Sequence, residues 1–462
     1  MDKSIITALQ EAVGKDQVSL ELIDLVAYAT DASEFRHRPE VVVLPGDTAQ
    51  VAAVMELASR EMIPVTPRGA GTGLSGGAVP LRGGILLDLS RMDRIVKISL
   101  EDRLAVVQPG VVYAELERQL APLGFSFPPD PSSGKVSTIG GNVATNAGGI
   151  KGAKYGVTKN YVLGLEVVLA NGRVMRTGSH TIKSVSGFDL TSLFVGSEGM
   201  LGVITEIVLH IVPRPPYTRT ALATFDTLSQ AGRAVGAVMR APVSPSVLEI
   251  VDHSYIQAIN QNTDLALPDV EAILLVETDG FSAAEAETQM ERIVEIFQQS
   301  QASSVRQAAS PEEAVALWAA RKTAYSVITR LYNTVIPEDT TVPISKVADM
   351  LLAVEEVGRN YDMVLPTVGH LGDGNVHPHF CFDRTDPAMM AKVEQAKHEL
   401  HQRAVDLGGT LSGEHGIGIG KAPFMEMEHS GFAMGMMRAI KDAFDPHNIL
   451  NPGKMGLEVK DD

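Results

Sequence analysis

Two glycine-rich stretches near the carboxy terminus hold the side chains best suited to chemistry. Residues 369–377 read Gly-His-Leu-Gly-Asp-Gly-Asn-Val-His, and residues 412–418 read Ser-Gly-Glu-His-Gly-Ile-Gly. Together they offer three good ligands for a divalent ion such as zinc or manganese, and one histidine to spare as a proton acceptor. Glycine around them removes Cβ bulk, so backbone and ligand can approach closely. His370 and His377 are separated by a Gly-Asp-Gly turn. They cannot sit one turn apart on a helix, but a hairpin would converge them. His377 and His379 alternate, so on a strand they share a face. Glu414 and His415 are adjacent and point apart in extended backbone, which suits two different tasks.

The elements that must position these groups read as mixed α and β. Val41–Leu44 is a buried strand, a helix starts at Asp47-Thr48 and runs to about Arg60, and Ile63–Thr66 returns as strand. Residues 85–89, 95–98 and 104–108 are further strands, and 112–120 a helix. Asn171-Gly172 between apolar runs is a hairpin signal. Val212-Pro213-Arg214-Pro215-Pro216 marks a domain boundary, because three prolines so close cannot continue a helix or an internal strand. Beyond it the order strand 220–225, helix 229–239, strands 247–251 and 273–277, helix 283–298, strand 303–306 predicts a ferredoxin-like antiparallel sheet with helices on one face.

At 462 residues the chain exceeds one ordinary core, so two or three domains are expected. With 45% apolar and 21% charged residues it is globular. A net charge of −17 argues against nucleic acid and anionic membrane as direct partners. The single cysteine, Cys381, excludes an internal disulfide framework and a four-cysteine iron–sulfur cluster. The amino terminus lacks a signal-peptide pattern, and no apolar run approaches the roughly 18 residues of a membrane span. A cytoplasmic protein is expected, with peripheral attachment through a partner left open.

Three loops of small residues occupy the first half. Pro67–Gly77 contains Gly71, Gly73 and Gly76 in the spacing G-x-G-x-x-G. A Rossmann loop would open a helix, whereas this one runs on into Val79-Pro80-Leu81-Arg82. Its backbone N–H groups can still wrap a pyrophosphate. Residues 128–149 and 196–204 form the other two. Ser133-Gly134-Lys135 lacks the glycine and Ser/Thr of a P-loop. Three such loops imply a large flat ligand contacted mainly by backbone.

These loops and both histidine motifs, in this order, resemble the vanillyl-alcohol oxidase superfamily of flavoproteins. Within it they resemble the branch of glycolate oxidase FAD subunits, D-lactate dehydrogenases and D-2-hydroxyglutarate dehydrogenases, over roughly residues 30–455. The resemblance implies an α+β fold: a two-part FAD-binding domain of that type (1–214), a ferredoxin-like antiparallel-sheet substrate and metal domain (215–425), and a terminal segment (426–462) returning to the FAD domain. It implies that Arg68, Gly69, Ala70, Gly71, Thr72, Gly73 and Ser75 cradle the pyrophosphate. Pro131, Ser137, Thr138, Gly141, Asn142, Thr145, Gly148 and Gly149 would line the flavin path, and Glu198, Gly199, Gly202 and Ile204 the adenine end. Asn451, in the closing loop, joins the cofactor set. The first loop has no histidine, so the FAD is expected to be non-covalent. His370, His377 and Glu414 are the implied ligands of a divalent metal (zinc or manganese), and His415 the implied base. His379 is expected to support the ligands from behind or simply to fill space. Arg321, in Trp318-Ala-Ala-Arg321, would clamp a substrate carboxylate, with Tyr325 and Asn375 beside it.

The implied reaction oxidises a D-2-hydroxy acid to the 2-oxo acid, with hydride passing to flavin N5 as His415 takes the hydroxyl proton. The acidic segment Pro337–Pro343, where the hydroxyglutarate branch carries lysine, favours D-lactate or glycolate, although Lys346 or Arg330 could supply a cation. Electrons would pass to a separate acceptor: an electron-transfer flavoprotein, a quinone or an iron–sulfur subunit. D-2-hydroxyglutarate oxidation, a metal-dependent hydrolase and a non-catalytic FAD-binding subunit remain the alternatives.

Overall fold

The computed structural model describes residues 1–458 and divides into two compact units. The first comprises Met1–Gly148, Val157–Arg214 and the chain from Glu414 onward; the second comprises Gly149–Gly156 and Pro215–Gly413. The return to the first unit thus falls at Glu414, earlier than the residue 426 read from the sequence.

The first unit carries two main sheets. Strands Val41–Val43, Ile85–Asp88 and Val65–Arg68 run parallel, with Val18–Ser19 antiparallel at the edge. The helix Thr48–Glu61 supplies the crossover. It starts where the Asp47 carboxylate accepts from Gln50 N, and Val51, Val54 and Met55 are buried against the valines and leucines of this sheet. The other sheet is antiparallel, in the order Ile95–Ser99, Leu104–Val107, Val203–His210, Val162–Val168, Val174–Gly178. Its last two strands form the Asn-Gly hairpin, with Val168 paired to Val174 and Gly172 at φ +79°. The closing segment docks on the parallel sheet: Val65 N donates to Ile449 O at 2.7 Å, and Asn451 N to Val65 O at 2.8 Å.

The second unit is one antiparallel sheet. Its first four strands in chain order are Tyr217–Phe225, Val247–Asp252, Ala272–Gly280 and Ser304–Gln307. In space they lie fourth, first, third, second, the ferredoxin-like order, and the sheet then continues through Thr367–His370, Asn375–Phe382 and Thr334–Pro337. Helices cover both faces rather than one. Leu228–Arg240, Ala283–Gln299, Val347–Asn360 and Pro387–Asp406 pack on the face carrying Ala221, Ile250, Leu274 and Phe380. His253–Asn262 and Ala319–Leu331 pack on the face carrying Val251, Ile273, Leu275 and Val368. The reason lies in strands such as Val247–Asp252, buried at every position: apolar side chains alternate to both sides, so both need a cover. The short segment Gly149–Gly156 belongs here because Lys154 pairs with Asp279, and Tyr155 Oη donates to the same carboxylate at 2.6 Å. Among the described residues no helix is long and apolar enough to cross a membrane.

Candidate active site

Strand register in the second unit gathers residues far apart in the sequence. Glu249 pairs with His370, and His370 with Asn375, so the three side chains form a row on one face. Val368 pairs with His377, which is on that face too. The turn between the histidine strands is tight: Gly374 has φ +87°, and a Cβ there would lie 2.0 Å from Val342 O. The His370 and His377 rings come to 5.0 Å between centroids, at 79°. Two rings bound through Nε2 to one ion at about 2.0–2.1 Å would have centroids near this separation.

Each ring is oriented from behind. His370 Nδ1 lies 2.5 Å from Glu249 Oε1, and His377 Nδ1 lies 3.2 Å from Glu338 O. Donation from Nδ1 leaves the lone pair on Nε2, the tautomer a metal requires. Glu249 is fully buried. Burial alone would push its carboxyl up, but the charges and hydrogen bonds of His370 and Arg321 outweigh that and hold it below the usual carboxylate range. Arg321 donates Nε to Glu249 Oε2 at 2.8 Å, and its terminal nitrogens have no other described partner. One carboxylate therefore fixes both a candidate metal ligand and the candidate substrate clamp. Tyr325 is partly exposed, with its ring 5.7 Å from that of His379. The Asn375 amide nitrogen is taken by Asp339 Oδ1 at 2.7 Å, Thr341 Oγ1 at 2.8 Å and Thr340 O at 3.2 Å. It anchors the strand edge. Lys346 is exposed and paired with Asp349, and Arg330 is exposed.

Glu249 and Asp339 are the residues that sequence reasoning missed. The signal for the first was a carboxylate inside the apolar run Val247-Leu248-Glu249-Ile250-Val251. Asp339 is fully buried; it accepts from Asn375 and, at 2.7 Å, from Ser412 Oγ, and it lies 3.6 Å from His377 Nδ1. Gly413 sits against the same group: a Cβ on it would be 2.3 Å from Thr341 Oγ1 and 2.5 Å from Asn375 Nδ2. Glu414 follows one peptide bond later, about 3.8 Å on by Cα.

In the first unit the three small-residue loops converge. A Cβ on Gly69 would lie 2.2 Å from Thr138 Oγ1, and one on Gly199 would lie 3.2 Å from Pro67. Gly196 N donates to Val143 O and Glu198 N to Ala144 O, which joins the third loop to the second. Thr138 caps the helix Ile139–Thr145 by accepting from Gly141 N. Ser137 Oγ and Asn142 Nδ2 are buried there with no hydrogen-bond partner among the described residues. A polar ligand would satisfy both, so this cradle fits FAD. Arg68 lies over the Tyr28 ring and donates to Thr30 O at 2.6 Å, bracing the first loop.

Other residues of the cofactor set have their side chains committed elsewhere. Ser75 Oγ donates to Gly416 O at 2.9 Å, and the Glu198 carboxylate accepts from Ile417 N at 2.6 Å and Gly418 N at 2.8 Å. Burial pushes the Glu198 carboxyl up, against those two N–H groups and the Lys454 charge. Asn451 donates to Gly77 O and Glu198 O. Ser75 and Glu198 hold the loop that carries Glu414 and His415, and Asn451 braces Glu198 from behind. A Cβ on Gly148 would lie 2.6 Å from Glu414 Oε2, so that carboxylate rests against the second loop. Gly202 and Ile204 pack into the antiparallel sheet, and Gly149 clusters with the second unit.

The chain matches the C-terminal domain of FAD linked oxidases over residues 214–455 and an FAD binding domain over residues 39–178. It is 43% identical to glycolate oxidase subunit GlcD of Bacillus subtilis (strain 168), covering 93% of this chain and 92% of that one. It is 39% identical to GlcD of Escherichia coli (strain K12), over 98% and 90%. D-lactate dehydrogenase of Anaerostipes hadrus is 34% identical, over 90% of each. Substrate-bound p-cresol methylhydroxylase superposes with a TM-score of 0.83 at 18% identity, over 99% of this chain and 97% of that one, a likeness of fold.

Proposed function

The chain belongs to the FAD-linked oxidases and is an FAD-dependent oxidoreductase, and from that premise we propose that it dehydrogenates a small D-2-hydroxy acid, D-lactate or glycolate, to the 2-oxo acid. The carrying observation is the row Glu249–His370–Asn375 with His377 and Arg321 on the same face, a ready site for a chelating hydroxy acid. His370 and His377 hold a divalent ion, and Glu414, which follows Gly413 beside Asn375, completes the ligand set. When bound, the ion is a Lewis acid toward the substrate hydroxyl and FAD the hydride acceptor. Arg321 binds the substrate carboxylate through the edge that Glu249 leaves unused. His415 takes the hydroxyl proton, on a loop fixed by Ser75 and Glu198.

Asp339 supports the smaller substrates. A buried carboxylate beside His377 disfavours a second substrate carboxylate nearby. The relative from Bacillus subtilis is named as a subunit, which supports delivery of electrons to a separate acceptor. The test is an anaerobic panel of D-lactate, L-lactate, glycolate and D-2-hydroxyglutarate with flavin bleaching as readout. Bleaching by D-lactate or glycolate is expected. A yellow protein inert to all four, or bleached only by hydroxyglutarate, would overturn the proposal.

A further inference from the structure

The segment between strands Thr334–Pro337 and Thr340–Thr341 has two consecutive buried carboxylates, Glu338 and Asp339. Pro337 pairs with His379 and Thr340 with Val376, a register that sets Asp339 opposite His377 and Glu338 opposite Pro378. Successive residues of an extended segment point to opposite faces. Asp339 lies on the histidine face, held by Asn375 and Ser412. Glu338 is held by the helix Pro387–Asp406, whose Val393, Ala396 and Leu400 pack on the other face. There Glu338 Oε1 lies 3.6 Å from Lys397 Nζ, and Oε2 lies 3.3 Å from His401 Nε2. All three side chains are buried, and Lys397 also reaches Glu394 at 3.5 Å. The peptide so clamped from both sides presents Glu338 O to His377 Nδ1.

We propose that Lys397 and His401 are positioning residues for the metal ligand His377, acting through Glu338 from the opposite face of the sheet. A buried charge group of this kind is weak evidence of stabilisation, since apolar packing of equal volume is often as stable. What it does fix is the orientation of one carbonyl, and with it the tautomer and tilt of the ring that carbonyl accepts from. The helix carries no ligand, yet it sets how well a ligand is aimed.

The inference rests on the reading that His370 and His377 bind a divalent ion, so the test measures that first. FAD-loaded full-length protein, freed of metal, is titrated with zinc and with manganese against a chelator. Lys397→Met should weaken binding about tenfold, at the lower end of the effect of groups that orient ligands. Because it removes the cation beside the buried Glu338, the double variant Glu338→Gln with Lys397→Met is run beside it; this leaves only the exposed Glu394 without its lysine and should show the same weakening. Variants that bind within about twofold of wild type while melting at lower temperature would make the network merely structural and overturn the proposal. Wild type that binds neither ion would remove the metal reading itself, and this proposal with it. A ¹⁵N-histidine spectrum of the metal-free protein gives a second readout: the Nδ1-protonated form of His377 should be well populated in wild type and depleted in the variants.

Discussion

The two units build their sites from opposite materials. In the first, the cradle is backbone: loops of glycine and small residues brought so close that Gly69 has no room for a Cβ against Thr138. In the second, the site is side chains on a rigid sheet, with Glu249, His370, Asn375 and His377 aligned by strand register. A large flat cofactor can be gripped by many peptide groups, each contributing little. A small substrate offers few atoms, so each contact must be aimed by a second group, as Glu249 aims both His370 and Arg321. The backbone site should therefore fail when atoms are added, and the side-chain site when they are exchanged.

The sharpest break is His415→Ala. Loss of a general base costs about 10²–10⁴ in rate. Anaerobic bleaching should slow by that much while the purified protein stays yellow; unchanged bleaching would move the chemistry elsewhere. Glu249→Gln comes next. It keeps the shape but removes the charge on His370 and Arg321, and should weaken metal binding about 10–100-fold by chelator competition. It should also raise KM for the acid, and a loss in metal affinity without one would separate Arg321 from substrate. For the backbone half, Gly69→Ala sets a methyl group 2.2 Å from Thr138 Oγ1. Overpacking of this kind costs about 1–3 kcal/mol, read as lost FAD in the absorption spectrum with little change in metal affinity.

The last effect is one of pH and concerns Asp252, which caps the helix His253–Asn262. Burial pushes its carboxyl up to about 7, against the backbone N–H groups of Tyr255 and Thr367 that pull it down. Folded protein then keeps a proton that the unfolded chain has released, from about pH 4 to pH 7, so this group's contribution to stability falls as pH rises through that window. Asp252→Asn should remove the fall and keep the cap. Variant and wild type should melt alike near pH 4 and diverge by pH 7.5, with the variant on the order of 1–3 kcal/mol more stable. Parallel profiles would show that Asp252 ionises normally in the folded state.

The loops and the two histidine motifs were legible because their residues are contiguous and glycine leaves a visible mark. The ferredoxin-like strand order was legible too, from alternating strand and helix lengths. Helices on the second face were not, although the unbroken apolar runs of the central strands hinted at them. Glu249 escaped because a single carboxylate in a strand has no partner within reach along the sequence; its partners are His370 and Arg321, both far along the chain. Motif membership does not tell a residue that touches a ligand from one that holds the motif in place, and the partners of Asn375, Ser75 and Glu198 within the fold appear only in three dimensions.

The sequence by itself determined the chemistry on offer: which imidazoles and carboxylates exist, which loops can bend around a pyrophosphate, and that no internal disulfide could staple the fold. Those follow from residue type and local conformation, which act over a few positions. Only the tertiary structure decided which groups face one another. The pairing of Glu249 with His370, and the clamp of Glu338 by a helix on the far side of the sheet, depend on register and on which face each strand buries. Both are set by packing across the whole unit.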